Sequence, residues 1–600
     1  MLRHKMLSPK LTLLLLALPL WAADPDGAAL YQAKCSVCHE NPTGDRIPKR
    51  TALAARMPEN VFAAMTTGPM TTQAAGLSGD EERVIALFIT GKPFSAVTDA
   101  MAGQCAGPAK ALAINTSDWN GWGVDGDNSR YQPKPGLAAS DVPKLKLKWA
   151  FGFAGDTRAF SQPVVVGGRV FVGSASGTVY SLDASTGCTY WAYKAGAGVR
   201  SAINIERSKT SNRFIAYFGD NRATVHAVDA QTGAPIWKVK VEDHAAAHIT
   251  GASVFHDGRL YVPVSSGEEG SARAPEYECC KFRGSLVALD GETGRQIWKS
   301  FSVLDPPKAF KKSKAGTQLY GPAGSAIWSA PTVDAKRKVI YAATGDSYTD
   351  VETNTSDAIM AFDLETGSVK WISQVLPKDN FIVGCPASPN CPEERGPDYD
   401  FGSGPILRTI GGRQILVAAQ KSGIVWGLDP DQRGKIVWQT KIGAGSALGG
   451  IEWGHATDNQ NVYAAVSDVN VRTGAQPGIS ALKLATGEKV WSTPAPNVTC
   501  SEIPDCKPAQ SAAVSVIPGA VFSGAINGHF RAYSTGTGEI IWDFDTAHAF
   551  ETVNKVPGHG GSINDGGPAI ANGMVFTNSG YSGFGGSPGN VLLAFSVDGK

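Results

Sequence analysis

One pattern recurs seven times along the chain and constrains its fold more than anything else: a short apolar strand, Asp or a substitute, a Thr-Gly turn, then a strand ending in Trp. The copies read VYSLDASTGCTYW, VHAVDAQTGAPIW, LVALDGETGRQIW, IMAFDLETGSVKW, VWGLDPDQRGKIVW, ISALKLATGEKVW and FRAYSTGTGEIIW, and end at Trp191, Trp237, Trp298, Trp371, Trp438, Trp491 and Trp542. An eighth copy starts at VLLAFSVDGK and lacks its last strand, while KLKLKWAF, with Trp149, is a last strand lacking its turn. The two segments together complete one unit, which makes eight. Period-2 strands such as QPVVVGGRVFVGS precede each repeat, so each unit is a four-stranded antiparallel sheet. Radial repetition of such sheets leaves only short, protected edges. The expected fold is therefore all-β, an eight-bladed β-propeller over 118–600, with Trp and turn residues packing between blades. Its composition agrees: 69 of 600 residues are Gly and 18% are charged, as in a turn-rich β protein.

The first ninety residues are different. A basic start, the apolar run LTLLLLALPL and small residues before an acidic start read as a signal peptide over 1–23. That run is too short for a bilayer core of about 30 Å, and no later stretch is long enough to try. A soluble protein exported to an oxidising space, the bacterial periplasm, is expected. Next, AALYQAKCSVCHENPTG places Cys35, Cys38 and His39 in the C-x-x-C-H spacing that attaches a c-type haem. Two thiols at that spacing reach the haem vinyl groups while the imidazole reaches iron. A zinc site would need a second ligand pair nearby, and a redox dithiol would not explain His39. Met70, in a loop before a helix begun by Ser78, is the expected sixth ligand, Met65 being core. The reading is a small all-α cytochrome c domain over 24–90 and a linker over 91–117.

Of the other eight cysteines, Cys385/Cys391 and Cys500/Cys506 lie within Pro-containing loops and read as local disulfides. Cys105 and Cys188 are left for each other. A formal charge of +1 gives no case for nucleic acid, and the basic run Lys308 to Lys314 reads as a solvated loop.

Spacing between successive terminal Trp residues runs from 46 (Trp191 to Trp237) to 73 (Trp298 to Trp371). The excess lies near 265–284, 304–325 and 375–401, with another irregular stretch at 547–566. Loops longer than a fold needs are usually functional, so one face of the ring is expected to carry the chemistry. The first insertion holds Glu268, Glu269 and the adjacent pair Cys279-Cys280. Asp346 ends the strand YAATGDSY, and Asp398 and Asp400 lie in PDYDFGSGPIL. On pattern alone these acids also read as turn or solvated loop residues. His244, His248, His455, His529 and His559 form no ligand set.

The repeat, the opening WNGWGVDGDNSRYQP and these loop motifs resemble the eight-bladed quinohaemoprotein alcohol dehydrogenases, which bind pyrroloquinoline quinone (PQQ) and a metal ion on the propeller axis. The fused cytochrome and the segment YECCKFRGS resemble in particular the members acting on polyvinyl alcohol. By motif, the resemblance puts Glu269, Asp346, Asp398 and Asp400 at a metal, with Glu268 only a neighbour and Asp398 the catalytic base. Asp400 resembles the lanthanide-type members, and a hard ion, calcium or a lanthanide, suits such carboxylates. Arg200, Thr250, Lys421, Trp328 and Trp453 fall where the family contacts PQQ, an arrangement that gives a flat anionic ring cations and aromatic faces. Cys279 and Cys280 either cap the quinone as a disulfide or pair elsewhere. The resemblance implies alcohol oxidation by hydride transfer to PQQ, then electrons through haem c to an external acceptor such as a soluble cytochrome c. Two rivals stand: a cytochrome-propeller nitrite reductase, which needs a second haem, and a cofactor-free propeller that is a binding module.

Overall fold

The computed structural model describes residues 26–40, 47–54, 58–66, 70, 72–92, 100–471, 473–498, 507–583 and 586–599. The expected signal peptide and the Cys500/Cys506 pair lie outside them. Eight antiparallel sheets form a propeller, seven of them four-stranded and one, which holds Arg259–Ser266, five-stranded. Strand Lys146–Gly152 pairs with Val591–Ser596, Trp149 opposite Ala594, so segments from the two ends of the repeat array share one blade. Inner strands such as Val164–Val166 and Arg169–Gly173 are wholly buried, whereas outer strands such as Pro235–Lys240 alternate with solvent.

The repeat's two signature residues are halves of one contact. Trp149 Nε1 donates to Ala184 O (3.0 Å), Trp191 to Ala230 O (3.1 Å), Trp237 to Gly291 O (3.0 Å) and Trp298 to Leu364 O (3.2 Å), each in the following blade. Trp542 Nε1 closes the circle on Leu145 O (3.0 Å). The indoles of Trp149, Trp191, Trp237 and Trp298 each cover the next Thr-Gly turn: a methyl group on Gly187, at φ 75°, would stand 2.8 Å from the Trp149 ring. Only glycine satisfies both that approach and that dihedral.

The opening segment threads along the inner strands. Trp119 N donates to Val165 O (2.8 Å), Val333 N to Gly126 O (3.1 Å), Leu407 N to Asp127 O (3.1 Å), Thr457 N to Ser129 O (2.9 Å) and Gln132 N to Val516 O (2.9 Å). Five blades thus bond to one strap. Fully buried Arg130 pins it, donating to Val514 O, Trp122 O, Gln162 Oε1, Ser515 Oγ and Gly566 O.

Residues 308–321 depart from the expected solvated loop. They form a hairpin, Lys308–Lys312 with Gln318–Gly321, because Lys311 folds back onto Asp350 (2.5 Å) and Glu393 (2.9 Å). Disulfides Cys105–Cys188 and Cys385–Cys391 form, and Cys279 bonds Cys280. Residues 100–117 lie along the first two blades, where Arg169 Nη2 donates to Lys110 O (2.7 Å) and Gln231 Oε1 accepts from Leu112 N (3.1 Å).

Before the propeller come helices Gly27–Lys34, Ser36–His39, Arg50–Ala54, Pro58–Thr66 and Gly79–Thr90. Ser78 and Glu81 make a capping box at the start of the last, and Gly91, at φ 61°, ends it. The first helix crosses it closely: a methyl group on Gly27 would collide with Val84 O. Tyr31, Phe62, Met65, Leu77 and Ile85 form the core, with Cys35 and Met70 packed against it.

Candidate active site

Four residues singled out in the sequence occupy one position in four different blades. Arg200, Thr250 and Trp328 each sit four residues before an innermost strand, and Trp453 three before. The propeller's symmetry therefore gathers them. Trp328 and Trp453 meet edge to face, with centroids 5.3 Å apart and planes at 81°. The Arg200 guanidinium lies 4.0 Å from the Trp453 ring centroid, and Lys421 Nζ 5.3 Å from that of Trp328. Trp453 is oriented by donating from Nε1 to Asn564 Oδ1 (2.8 Å). Thr250 Oγ1 shares a hydrogen bond with Ser265 Oγ (2.8 Å).

Beside the two indoles, Asp346, Asp398 and Asp400 each bring a carboxylate oxygen within 4.8 Å of the others, and all three residues are buried. Separate segments supply them. Asp346 follows strand Val339–Ala343, and Asp398 and Asp400 lie in the insertion before Ile406–Ile410. The Asp346 amide donates to Asp400 Oδ1 (2.6 Å), and Lys421 Nζ donates to Asp398 Oδ1 (2.8 Å) and Asp400 Oδ2 (3.1 Å). Asp398 stands at φ 61°, a strained conformation for a residue other than glycine. It is held by its amide, which donates to Asp379 Oδ1 (2.9 Å).

Glu269, on the short helix Glu268–Ser271, stands outside the 4.8 Å set but within electrostatic reach of it. Burial and the Asp400 charge push its carboxyl up to about 7. Burial likewise drives Asp346 and Asp398 well above the usual carboxylate range, with Asp400 adding repulsion and Lys421 opposing it at Asp398. A cation would relieve that repulsion. Asp346 Oδ2 and Arg200 Nη2 are buried with no hydrogen-bond partner among the described residues. The first fits a cation and the second an anionic ligand carboxylate, so the residues present suit a metal ion and a quinone acid.

Residues 119–396 match the family described as glucose/ethanol/alcohol dehydrogenase, beta-propeller domain, and residues 475–600 that described as outer membrane protein assembly factor BamB. The chain is 45% identical to a polyvinylalcohol dehydrogenase of Pseudomonas sp over 96% of its own length and 94% of the relative's. It is 42% identical to a polyvinylalcohol dehydrogenase of Sphingopyxis sp. (strain 113P3), covering 96% of this chain and 93% of that one. The chain belongs to the polyvinyl alcohol dehydrogenase family. Its fold is also that of the crystal structure of quinohemoprotein alcohol dehydrogenase from Comamonas testosteroni, at a TM-score of 0.61 and 20% identity, covering 81% of this chain and 82% of that one. This polyvinyl alcohol dehydrogenase family member is thus an alcohol dehydrogenase on a PQQ-type propeller.

Several buried groups of this family member carry no motif. Glu268 is fully buried, not a mere neighbour of Glu269. Its carboxylate accepts from Lys281 N (2.9 Å), Phe282 N (2.8 Å) and Tyr277 Oη (3.0 Å), tying its helix to the Cys279–Cys280 loop. Asp379 accepts the amides of Asp398 and Tyr399. Asp565 binds Arg200 Nε at 2.9 Å, and burial pushes its carboxyl up to about 6 against the pull of Arg200. Glu452, next to Trp453, is buried, and its carboxyl is raised to about 7 chiefly by burial, with Lys421 opposing. Adjacency to Trp453 was a usable signal for Glu452. Asp379 and Asp565 offered none, because their roles depend on which loops meet across blades.

Proposed function

We propose that the chain is a quinohaemoprotein dehydrogenase that oxidises the secondary hydroxyls of a polymer such as polyvinyl alcohol. The observation that carries this is the buried Asp346, Asp398 and Asp400 set beside crossed Trp328 and Trp453. Asp346, Asp398, Asp400 and Glu269 would hold calcium or a lanthanide. Trp328, Trp453, Arg200, Thr250 and Lys421 would hold PQQ, with the Cys279–Cys280 disulfide as a lid. When bound, the quinone supplies the hydride acceptor and the cation a Lewis acid.

The chain's own residues do the rest. Asp398 Oδ1 takes the substrate hydroxyl proton, a step that needs the ionised carboxylate. Lys421 favours that ionised state and fixes the oxygen's position. Asp379 holds the Asp398 backbone, so the base does not swing away. Glu268 anchors the loop that excludes water from above.

The helical unit is proposed as a cytochrome c domain over 24–90, joined by a linker over 91–117 to a propeller over 118–600. His39 is buried, and its Nδ1 lies 2.8 Å from Pro48 O. Donation there fixes the tautomer with Nε2 free to ligate iron. Cys35 and Cys38 would bind the haem covalently, and His39 and Met70 would hold its iron. Electrons would leave to an external one-electron acceptor in the periplasm, reached by the signal peptide.

The test is reconstitution. Full-length haem-loaded protein is given PQQ with calcium or lanthanum, then polyvinyl alcohol or small secondary alcohols, while haem absorbance is followed. Reduction on polymer addition is expected, and Asp398→Asn should slow it by about 10²–10⁴-fold. No reduction with any alcohol overturns the reading.

A further inference from the structure

The helical unit touches the propeller at the short helix that carries Glu269. Thr72 Oγ1 and Ser271 Oγ are hydrogen-bonded. Ser271 ends the short helix that carries Glu269 two residues earlier, and Thr72 is two residues from Met70. A second link lies on the same interface: Arg222 Nη2 donates to Glu82 Oε1 (2.9 Å), whose side chain is 3% exposed. Beside this second link is a cavity of about 400 Å³, lined by Phe62, Met65 and Thr66 from the helices and by His244 and His248 from the propeller. Open space thus lies between the units next to Glu82 and Arg222, whereas the hydroxyl pair joins them directly.

We propose that the Thr72–Ser271 hydrogen bond is the crossing point for electrons between the propeller site and the haem, with Glu82–Arg222 keeping the two surfaces in register. This rests on the function proposed above. The path runs along Glu269, Gly270 and Ser271 and across two hydroxyls to Thr72, two residues from Met70. Bonded atoms carry an electron farther than an empty gap does. Arg222, by contrast, sits in a tight turn between the strands Phe214–Gly219 and Thr224–Asp229 of another blade, away from the carboxylates.

The electron count is simple. Each alcohol converted to a carbonyl releases two electrons and two protons. The electrons cross singly, each reducing one ferric haem to ferrous, and each ferrous haem is reoxidised by a one-electron acceptor such as a small haem protein. The protons go to solvent. Thr72 and Ser271 are positioning residues, since neither contacts the reacting atoms.

The experiment uses the full chain loaded with haem, PQQ and calcium. Stopped-flow absorbance follows haem reduction after alcohol is added, and a small dye that takes electrons directly from the quinone measures alcohol oxidation separately. Ser271→Ala and Thr72→Val should slow haem reduction by roughly tenfold or more while dye reduction is unchanged. Ser271→Thr, which keeps the hydroxyl, should restore the rate. An independent readout needs no turnover: the pair Thr72→Cys with Ser271→Cys should form a disulfide in protein lacking PQQ, detected by mass spectrometry without reductant, and the cross-linked protein should still reduce its haem. Unchanged haem reduction in both single variants overturns the crossing point but leaves the proposed function standing. Failure of the cysteine pair to bond, or loss of haem reduction once bonded, likewise overturns the crossing point alone. A wild-type haem that no alcohol reduces overturns both.

Discussion

Lys421 Nζ lies 2.8 Å from Asp398 Oδ1, and both side chains are more than nine-tenths buried. The same ammonium reaches Asp400 Oδ2 at 3.1 Å, so one fixed cation partly neutralises a set of at least three acids. Charges taken out of water at this depth are tolerated only when paired. Lys421 is therefore a structural counter-charge of the site as well as a candidate contact of the quinone.

Removing that counter-charge should expose the cost of the acids. Lys421→Met is expected to lower the stability of metal-free protein by about 3–5 kcal/mol, the usual result of breaking one side of a buried pair. Calcium should return more stability to this variant than to wild type. Thermal melting with and without calcium reads both effects, and equal melting of the two metal-free proteins would contradict the assignment.

Asp357 offers the reverse case. It is fully buried at φ 48°, and neither carboxylate oxygen has a partner among the described residues. Burial and the Asp379 charge push it well above the usual carboxylate range. Asp357→Asn should raise the melting temperature of metal-free protein, corresponding to about 1–3 kcal/mol. A lower melting temperature would mean that this charge has a partner the acids alone do not supply.

Gly402 leaves room for Trp328. A methyl group there would collide with the far edge of the Trp328 indole and with Glu452 O, which is backbone and has no freedom to yield. Gly402→Ala is expected to cost about 1–3 kcal/mol and to tilt the indole. If Trp328 forms a face of the quinone pocket, PQQ affinity measured by fluorescence quenching should fall more than calcium affinity.

Glu82 makes the contact between units pH-dependent. Burial raises its carboxyl from 4.5 to about 7, although Arg222 opposes the shift. A carboxyl raised on folding contributes stability that is fully present below 4.5 and is lost as pH rises through about 7. Melting of the helical unit should therefore move down across that window, by on the order of 1–3 kcal/mol. Glu82→Gln, which can still accept from Arg222, should flatten the profile; an unaltered slope would place the titration elsewhere.

How much of this was legible in the sequence depends on what each feature needs from the rest of the fold. Trp149 without a turn and VLLAFSVDGK without a last strand announced the shared blade, because a repeat's missing half has to be somewhere. Asp346, Asp398 and Asp400 were picked out through short motifs, one just past a strand and one inside an insertion, because the family resemblance preserves such local strings. The anchoring contacts of Glu268 were not legible: adjacent acids on one short helix face different ways, and only the fold decides that Glu268 turns inward to three donors while Glu269 approaches the carboxylates. Asp357 and Asp379 are ordinary loop acids until neighbouring blades bury them. The hairpin at 308–321 was read as loop because its strand KAFKK turns mostly lysines to solvent, which hides the alternation a half-buried strand would display.

The shared blade has a consequence for chronology. Arg200 Nε binds Asp565 across 365 positions of sequence, and the pairing of Lys146–Gly152 with Val591–Ser596 is the seam on which the ring shuts. Contacts of such long reach form late, since closing a long loop costs entropy before any contact repays it. Arg200 and Trp453, held by Asp565 and Asn564, therefore do not reach their final positions until the last blade has been synthesised and the ring has shut. A nascent or truncated chain would present the repeat and several of its acids yet no finished binding pocket, so cofactor loading reports on completion of the whole ring.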